Sequence, residues 1–186
     1  RWEMMPLRPR GGIDKEGCKA IGRICRDIGI ACRAGYGPET SMDNHSLARA
    51  FTETFSYKSA MYVSLGADGD RTRNAVLPNL VHGRPVILGI GSPGTGQGHC
   101  VVADGLGSGV SSSGARTTYY HLNFGWANEV GGEMTDAWYA PPDLREYSSI
   151  DSAIVNIDSS RKAAYVAGRA LTRNGGTSVA GAGVRI

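Results

Sequence analysis

The chain has 186 residues and a mass of 19.6 kDa, enough for one domain with a sizeable core or for two small lobes. Hydrophobic residues make up 41% and charged residues 20%, as in ordinary globular domains, and no run approaches the roughly 20 consecutive apolar residues of a membrane span, which excludes a helical membrane protein. The formal charge of +3 comes from the end of the chain: residues 159–186 hold five basic residues and no acid, so the remaining body has a slight acidic excess and is not a nucleic-acid binder.

Residues 1–15 carry Pro6, Pro9, Gly11 and Gly12 and read as an extended lead-in. From Lys15 to Gly29, Ala20, Ile21, Ile24, Cys25 and Ile28 recur at helical intervals, with Gly29 as the stop. Asp43 or Asn44 caps a second helix, on which Leu47, Phe51 and Phe55 lie four apart. A third, shorter helix is expected over 74–82, ending at Gly83. The period then changes to that of strands, at 85–90, 99–105, 117–123, 136–140 and 152–157. The Ser- and Gly-rich segment 107–116 reads as a hairpin loop. Helices followed by an antiparallel sheet make an α+β fold. The expected division is a domain over 1–158 and a basic, Gly/Ala/Ser-rich tail over 159–186, solvated and disordered.

Several features point away from a metal or organic cofactor. Cys18, Cys25 and Cys32 are seven apart and Cys100 sits in an apolar run, so all four read as small buried hydrophobes ahead of disulfides or ligands. There is no C-x-x-C and no His pair at zinc spacing. Asp68-Gly69-Asp70 lacks the closing Glu of a calcium loop and reads as a solvated turn. The glycine-rich stretch 89–98 has no Lys-Ser/Thr after it, so it is a mobile loop and not a phosphate cradle.

The informative constellation is Gly98-His99 opening an apolar strand that ends Asp104-Gly105, followed by a strand running His121-Leu122-Asn123-Phe124-Gly125-Trp126. A histidine beside an apolar run is more often structural than catalytic. In this chain, however, Asn123 closes the neighbouring strand, where its carboxamide can orient the imidazole while the other ring nitrogen faces a nucleophile. Phe124 and Trp126 would shield that hydrogen bond from water. His45, His82 and His121 read as structural or surface residues, His121 at most supporting the site from the face of Asn123.

This pattern resembles the streptopain family of papain-like cysteine peptidases. The resemblance runs through Trp2 to Pro6, the helix around Ala20 to Ile30, Tyr36-Gly37-Pro38 to Ser41, Phe55-Ser56-Tyr57 and Gly83-Arg84-Pro85-Val86, in the family's order over residues 1–157. Two departures are visible: Phe124 stands where the family has Trp, and the loop between His99 and Asn123 is longer. The resemblance implies a papain-like fold, present in part, and a cysteine endopeptidase in which His99 is the general acid/base and Asn123 its orienting residue. Ser41 and Gly98 match positions that contact the substrate backbone. The family's nucleophilic cysteine and oxyanion-hole Gln lie upstream of the Trp-x-x-Met-Pro stretch, so they are expected before Arg1, none of the four cysteines being a good substitute. The implied partners are a polypeptide substrate and a propeptide or upstream segment carrying the Cys; the implied location is secreted and bacterial. The alternative is a catalytically silent binding module of the same fold, and a third reading is another acyl transfer on the same scaffold.

Overall fold

The computed structural model describes residues 15–159 except 67–68, 111, 127–128, 131–132 and 135, so all but the last residue of the lead-in and all but the first residue of the tail lie outside the described residues. The chain divides into two compact units, 1–56 and 57–186.

The first unit holds helices α1 (Lys15–Ala31) and α2 (Asn44–Glu53). The stop expected at Gly29 comes two residues early. The helix closes instead with Ala34 N–H donating to Gly29 C=O at 2.8 Å and Arg33 N–H to Ile30 C=O at 3.2 Å, the paired bonds of a Schellman ending. Its left-handed residue is Arg33, at φ 52°. Gly29 serves a different end, since a Cβ there would collide with the Tyr36 hydroxyl. At α2, Asp43 is the cap, accepting from the backbone N–H of His45 and Ser46 at 3.2 and 2.8 Å. Leu47 is buried, whereas Phe55 lies beyond the end of the helix. The cysteines are mostly not core residues: Cys32 is buried, while Cys18, Cys25 and Cys100 of the second unit are exposed.

The second unit is a six-stranded antiparallel sheet with one helix. Its elements are β1 (Ser59–Ser64), α3 (Gly69–Val81), β2 (Val86–Ser92), β3 (Gln97–Val110), β4 (Arg116–Asn123), β7 (Ala137–Tyr139) and β8 (Ser149–Asp158), in the sheet order β1-β8-β2-β3-β4-β7. A separate ribbon pairs β5 (Glu129–Val130) with β6 (Glu133–Met134). The α+β fold is as expected, but β1 intervenes between α2 and α3, so the helices do not all precede the strands. Gly69 and Asp70 open α3 instead of forming a turn, and the acidic side chain at Asp70 suits the positive end of the helix dipole.

The hairpin connection is shorter than the expected 107–116, because residues 107–110 belong to β3 and Arg116 to β4. Strands β3 and β4 pair through to Val110 opposite Arg116. The register shifts between Ala103 and Gly105, leaving Asp104 as the extra residue of a bulge. Before the bulge, the odd residues His99, Val101 and Ala103 face the core; after it, Gly105, Gly107 and Gly109 face outward. There they leave room for aromatic rings: a Cβ on Gly105 or Gly107 would crowd Trp138, and one on Gly109 would crowd Tyr119.

The core of this unit joins Val76 and Leu80 of α3 to Val86, Leu88 and Ile90 of β2, Val101 and Ala103 of β3, Tyr120 and Leu122 of β4, and Phe124. A buried amide pair pins α3 to the sheet. A register irregularity in the pairing of β1 with β8 leaves Asn156 at φ 55°, and its backbone N–H donates to Asn79 Oδ1 at 2.9 Å. Asn79 Nδ2 in turn donates to Ala75 C=O at 3.1 Å. No helix among the described residues is long and apolar enough to cross a membrane.

Candidate active site

His99 sits near the start of β3, opposite Ile90 of β2 and half-buried. The first β3–β4 pair is Val102 with Asn123, so residues 97–101 have no β4 residue beside them. The imidazole Nε2 lies 2.8 Å from Phe124 C=O. A carbonyl can only accept, so this bond puts the ring proton on Nε2 and leaves Nδ1 as the basic nitrogen. Three rings enclose the imidazole: Trp126 at 4.7 Å between centroids and 29° between planes, Phe124 at 5.9 Å and Tyr147 at 6.0 Å. Phe124 is 2% exposed and Trp126 38%, so the wall on the Phe124 side is core and the lid on the Trp126 side meets solvent. Burial among apolar rings strengthens the Nε2 bond by excluding competing water.

Asn123 does not touch this imidazole through its side chain. Val102 and Asn123 are paired and share a face of the sheet, while His99 alternates with Val102 and lies on the other. Closeness at the strand end was legible; the pleat separates the side chains. Asn123 Oδ1 instead accepts from Gly125 N–H at 2.8 Å, closing an Asx turn in which Gly125 takes φ 71°. That turn presents the Phe124 carbonyl to the imidazole, so Asn123 acts on His99 at one remove.

The remaining candidates divide. Gly98 is exposed beside His99 and pairs with Gly91 of β2. Trp126 and Phe124 both pack on the imidazole. Ser41 belongs to the first unit, where its N–H and C=O are both bonded to Gly35, at 3.0 and 2.9 Å; what it retains for a ligand is its hydroxyl. Cys100 follows His99 in the strand and points to the opposite face, which removes it as a partner for this imidazole. Tyr147 was missed. Its signal was an aromatic residue just before an apolar strand, with no spacing to tie it to His99.

His121 forms a separate cluster on the outer face. Its Nδ1 is 2.7 Å from Asp104 Oδ1, and its Nε2 is 3.4 Å from Asp136 Oδ1, a buried oxygen without a hydrogen-bond partner among the described residues. The edge of Trp138 packs on the ring. Asp104 is the bulge residue, so the irregularity that reverses the facing of β3 also aims this carboxylate at His121. Among the described residues, no group of three or more His, Cys, Asp or Glu side chains is placed to hold a metal ion.

Residues 1–139 match the model of the Peptidase C10 family. The fold is similar to that of a Prevotella intermedia prointerpain A fragment bearing a cysteine-to-alanine mutation, with a TM-score of 0.61 and 19% identity over 86% of this chain and 48% of that one. The chain thus spans about half the length of that neighbour. No curated protein matches it.

Proposed function

Because the chain belongs to the Peptidase C10 family, we propose that it forms the histidine-bearing part of a cysteine endopeptidase. The observation that carries this reading is the state of His99: Nε2–H is committed to the Phe124 carbonyl, and Nδ1 is left as a base on a ring held by three aromatic neighbours. The nucleophile is a cysteine upstream of Arg1, as the family resemblance implies. Nδ1 takes the thiol proton, and the thiolate attacks the scissile carbonyl. The imidazolium then gives that proton to the leaving amine, and Nδ1 next deprotonates the water that hydrolyses the thioester. Throughout, the Phe124 carbonyl keeps the ring in one orientation and stabilises the imidazolium by accepting from Nε2–H. Asn123 and Gly125 hold that carbonyl in place.

The substrate is an extended polypeptide, with Gly98 and the Ser41 hydroxyl as contacts to its backbone. Residues 1–158 supply this part of the peptidase, and the basic segment 159–186 is a tail outside it. By family resemblance the protein is secreted and made with a propeptide. The test is His99→Ala in the chain expressed with its native upstream sequence, assayed on a denatured protein substrate. Hydrolysis should be abolished with the thermal midpoint preserved, and retained turnover would overturn the assignment. If that upstream sequence holds no cysteine and the parent protein is inactive, the chain is a binding module of the same fold.

A further inference from the structure

We propose that a second site on the 57–186 unit, a cavity between the start of α3 and the start of β4, binds an acidic side chain of a polypeptide through Arg73 and Arg116. The cavity measures about 610 Å³, within the roughly 300–1,000 Å³ usual for ligand sites. Arg73 reaches it from α3 and Arg116 from β4, and neither guanidinium forms an ion pair with a described residue. Two guanidinium groups that line one concavity without a counter-charge among the described residues favour an anion there, and their planar forks match a carboxylate in geometry as well as charge. Asp70 is the single carboxylate among the described lining residues, so the described lining is net positive.

The floor supports the same ligand. Tyr120 is a core residue whose phenol is pushed up in pKa by burial and pulled back by the charge of Arg73, so the guanidinium field reaches the bottom of the cavity. Ile150 and Pro142 add apolar wall, which a bare inorganic ion would leave uncovered and the methylenes of a Glu side chain would fill. The cavity also connects to the surroundings of His99. Tyr147 packs on that imidazole, and the next residues, Ser148 and Ser149, line the cavity while both bonding to Gly91 C=O at 3.0 Å. Gly91 is in turn the strand partner of Gly98. Tyr120 lines the cavity and belongs to the core with Val101 and Ala103, whose face of the sheet His99 shares, so an acidic residue docked in the cavity would lie on the His99 face.

The choice of a polypeptide as carrier rests on the peptidase reading; the recognition of a carboxylate does not. The test is therefore of binding and not of cleavage. Calorimetric titration of the 186-residue chain with acetyl-Gly-Glu-Leu-Glu-Gly-amide should give binding that weakens about tenfold or more with the Gln-for-Glu peptide, as expected when a charge-assisted hydrogen bond becomes a neutral one. The Arg73→Gln/Arg116→Gln variant should lose the same preference, and His99→Ala should keep it, so a failed catalytic assignment leaves this result untouched. Equal affinity for the two peptides, no affinity for either, or an undiminished preference in the double variant would overturn the site. Displacement of the peptide by an equal concentration of inorganic phosphate would overturn its assignment to a polypeptide and make it a site for small free anions.

Discussion

Replacing Asn123 with Ala separates the two ways in which this residue can serve His99. Among the described residues its side chain makes one bond, accepting at Oδ1 from Gly125 N–H at 2.8 Å, and it is exposed, so truncation removes a hydrogen bond without removing buried apolar surface. A net contribution of about 0.5–1 kcal/mol follows, toward the low end for an intramolecular bond because water competes at this position. For a unit on the order of 100 residues, where 1 kcal/mol corresponds to about 4–8 °C, the thermal midpoint should fall by about 2–8 °C. Asn123→Asp keeps an oxygen acceptor facing Gly125 N–H and should restore most of it. Nitrogen-15 NMR of the imidazole reports the other half of the reasoning. In Asn123→Ala the proton of His99 should remain on Nε2, exchanging faster as the Phe124 carbonyl gains freedom. An unchanged midpoint combined with loss of the Nε2–H signal would mean that the carboxamide bonds the imidazole directly, and would refute the indirect role of Asn123 through the Phe124 carbonyl.

Two further outcomes are expected. Burial first, and then the charge of Asp43, raise the pKa of the Cys32 thiol, so at pH 8 iodoacetamide should modify Cys18, Cys25 and Cys100 before Cys32; mass spectrometry showing Cys32 among the first to react would contradict its burial. The hydroxyl and then the backbone N–H of Ser46 hold the Asp43 carboxyl below its ordinary range, so its contribution to stability is present above the unfolded value of about 3.9 and is lost as pH falls through the lower folded value. Asp43→Ala should therefore cost about 0.5–1 kcal/mol at pH 7 and much less at pH 2 in thermal melts, and an equal cost at both would remove the carboxylate from the cap.

What could be read from the sequence was what local pattern encodes. The helical recurrence from Lys15, the cap at Asp43 and the apolar run at Val86 each gave an element in the right place, because neighbours in sequence determine those features. Residues 107–110 read as loop because glycine usually marks a turn, and only the tertiary contacts with Trp138 and Tyr119 show why a strand needs glycines there. The site was half legible. His99 with its aromatic neighbours followed from the motif, but the facing of Asn123 depends on the register of β3 against β4, which no single strand reveals. Tyr147 reaches the imidazole from a chain segment 48 residues away and left no local trace.

The pairing of Asn79 with Asn156 bears on how the second unit reaches one arrangement and no other. Val76 and Leu80 would find apolar surface in several placements of α3, because greasy contacts discriminate poorly between positions one helical turn apart. The amide does discriminate: only one placement meets the N–H that Asn156 turns out of the ladder, and any slip leaves buried polar groups unmatched at about 1–3 kcal/mol each. The irregularity in β8 thus works as a keyway. The helix is admitted in a single position, and with it β2, whose far end carries the strand on which the imidazole stands.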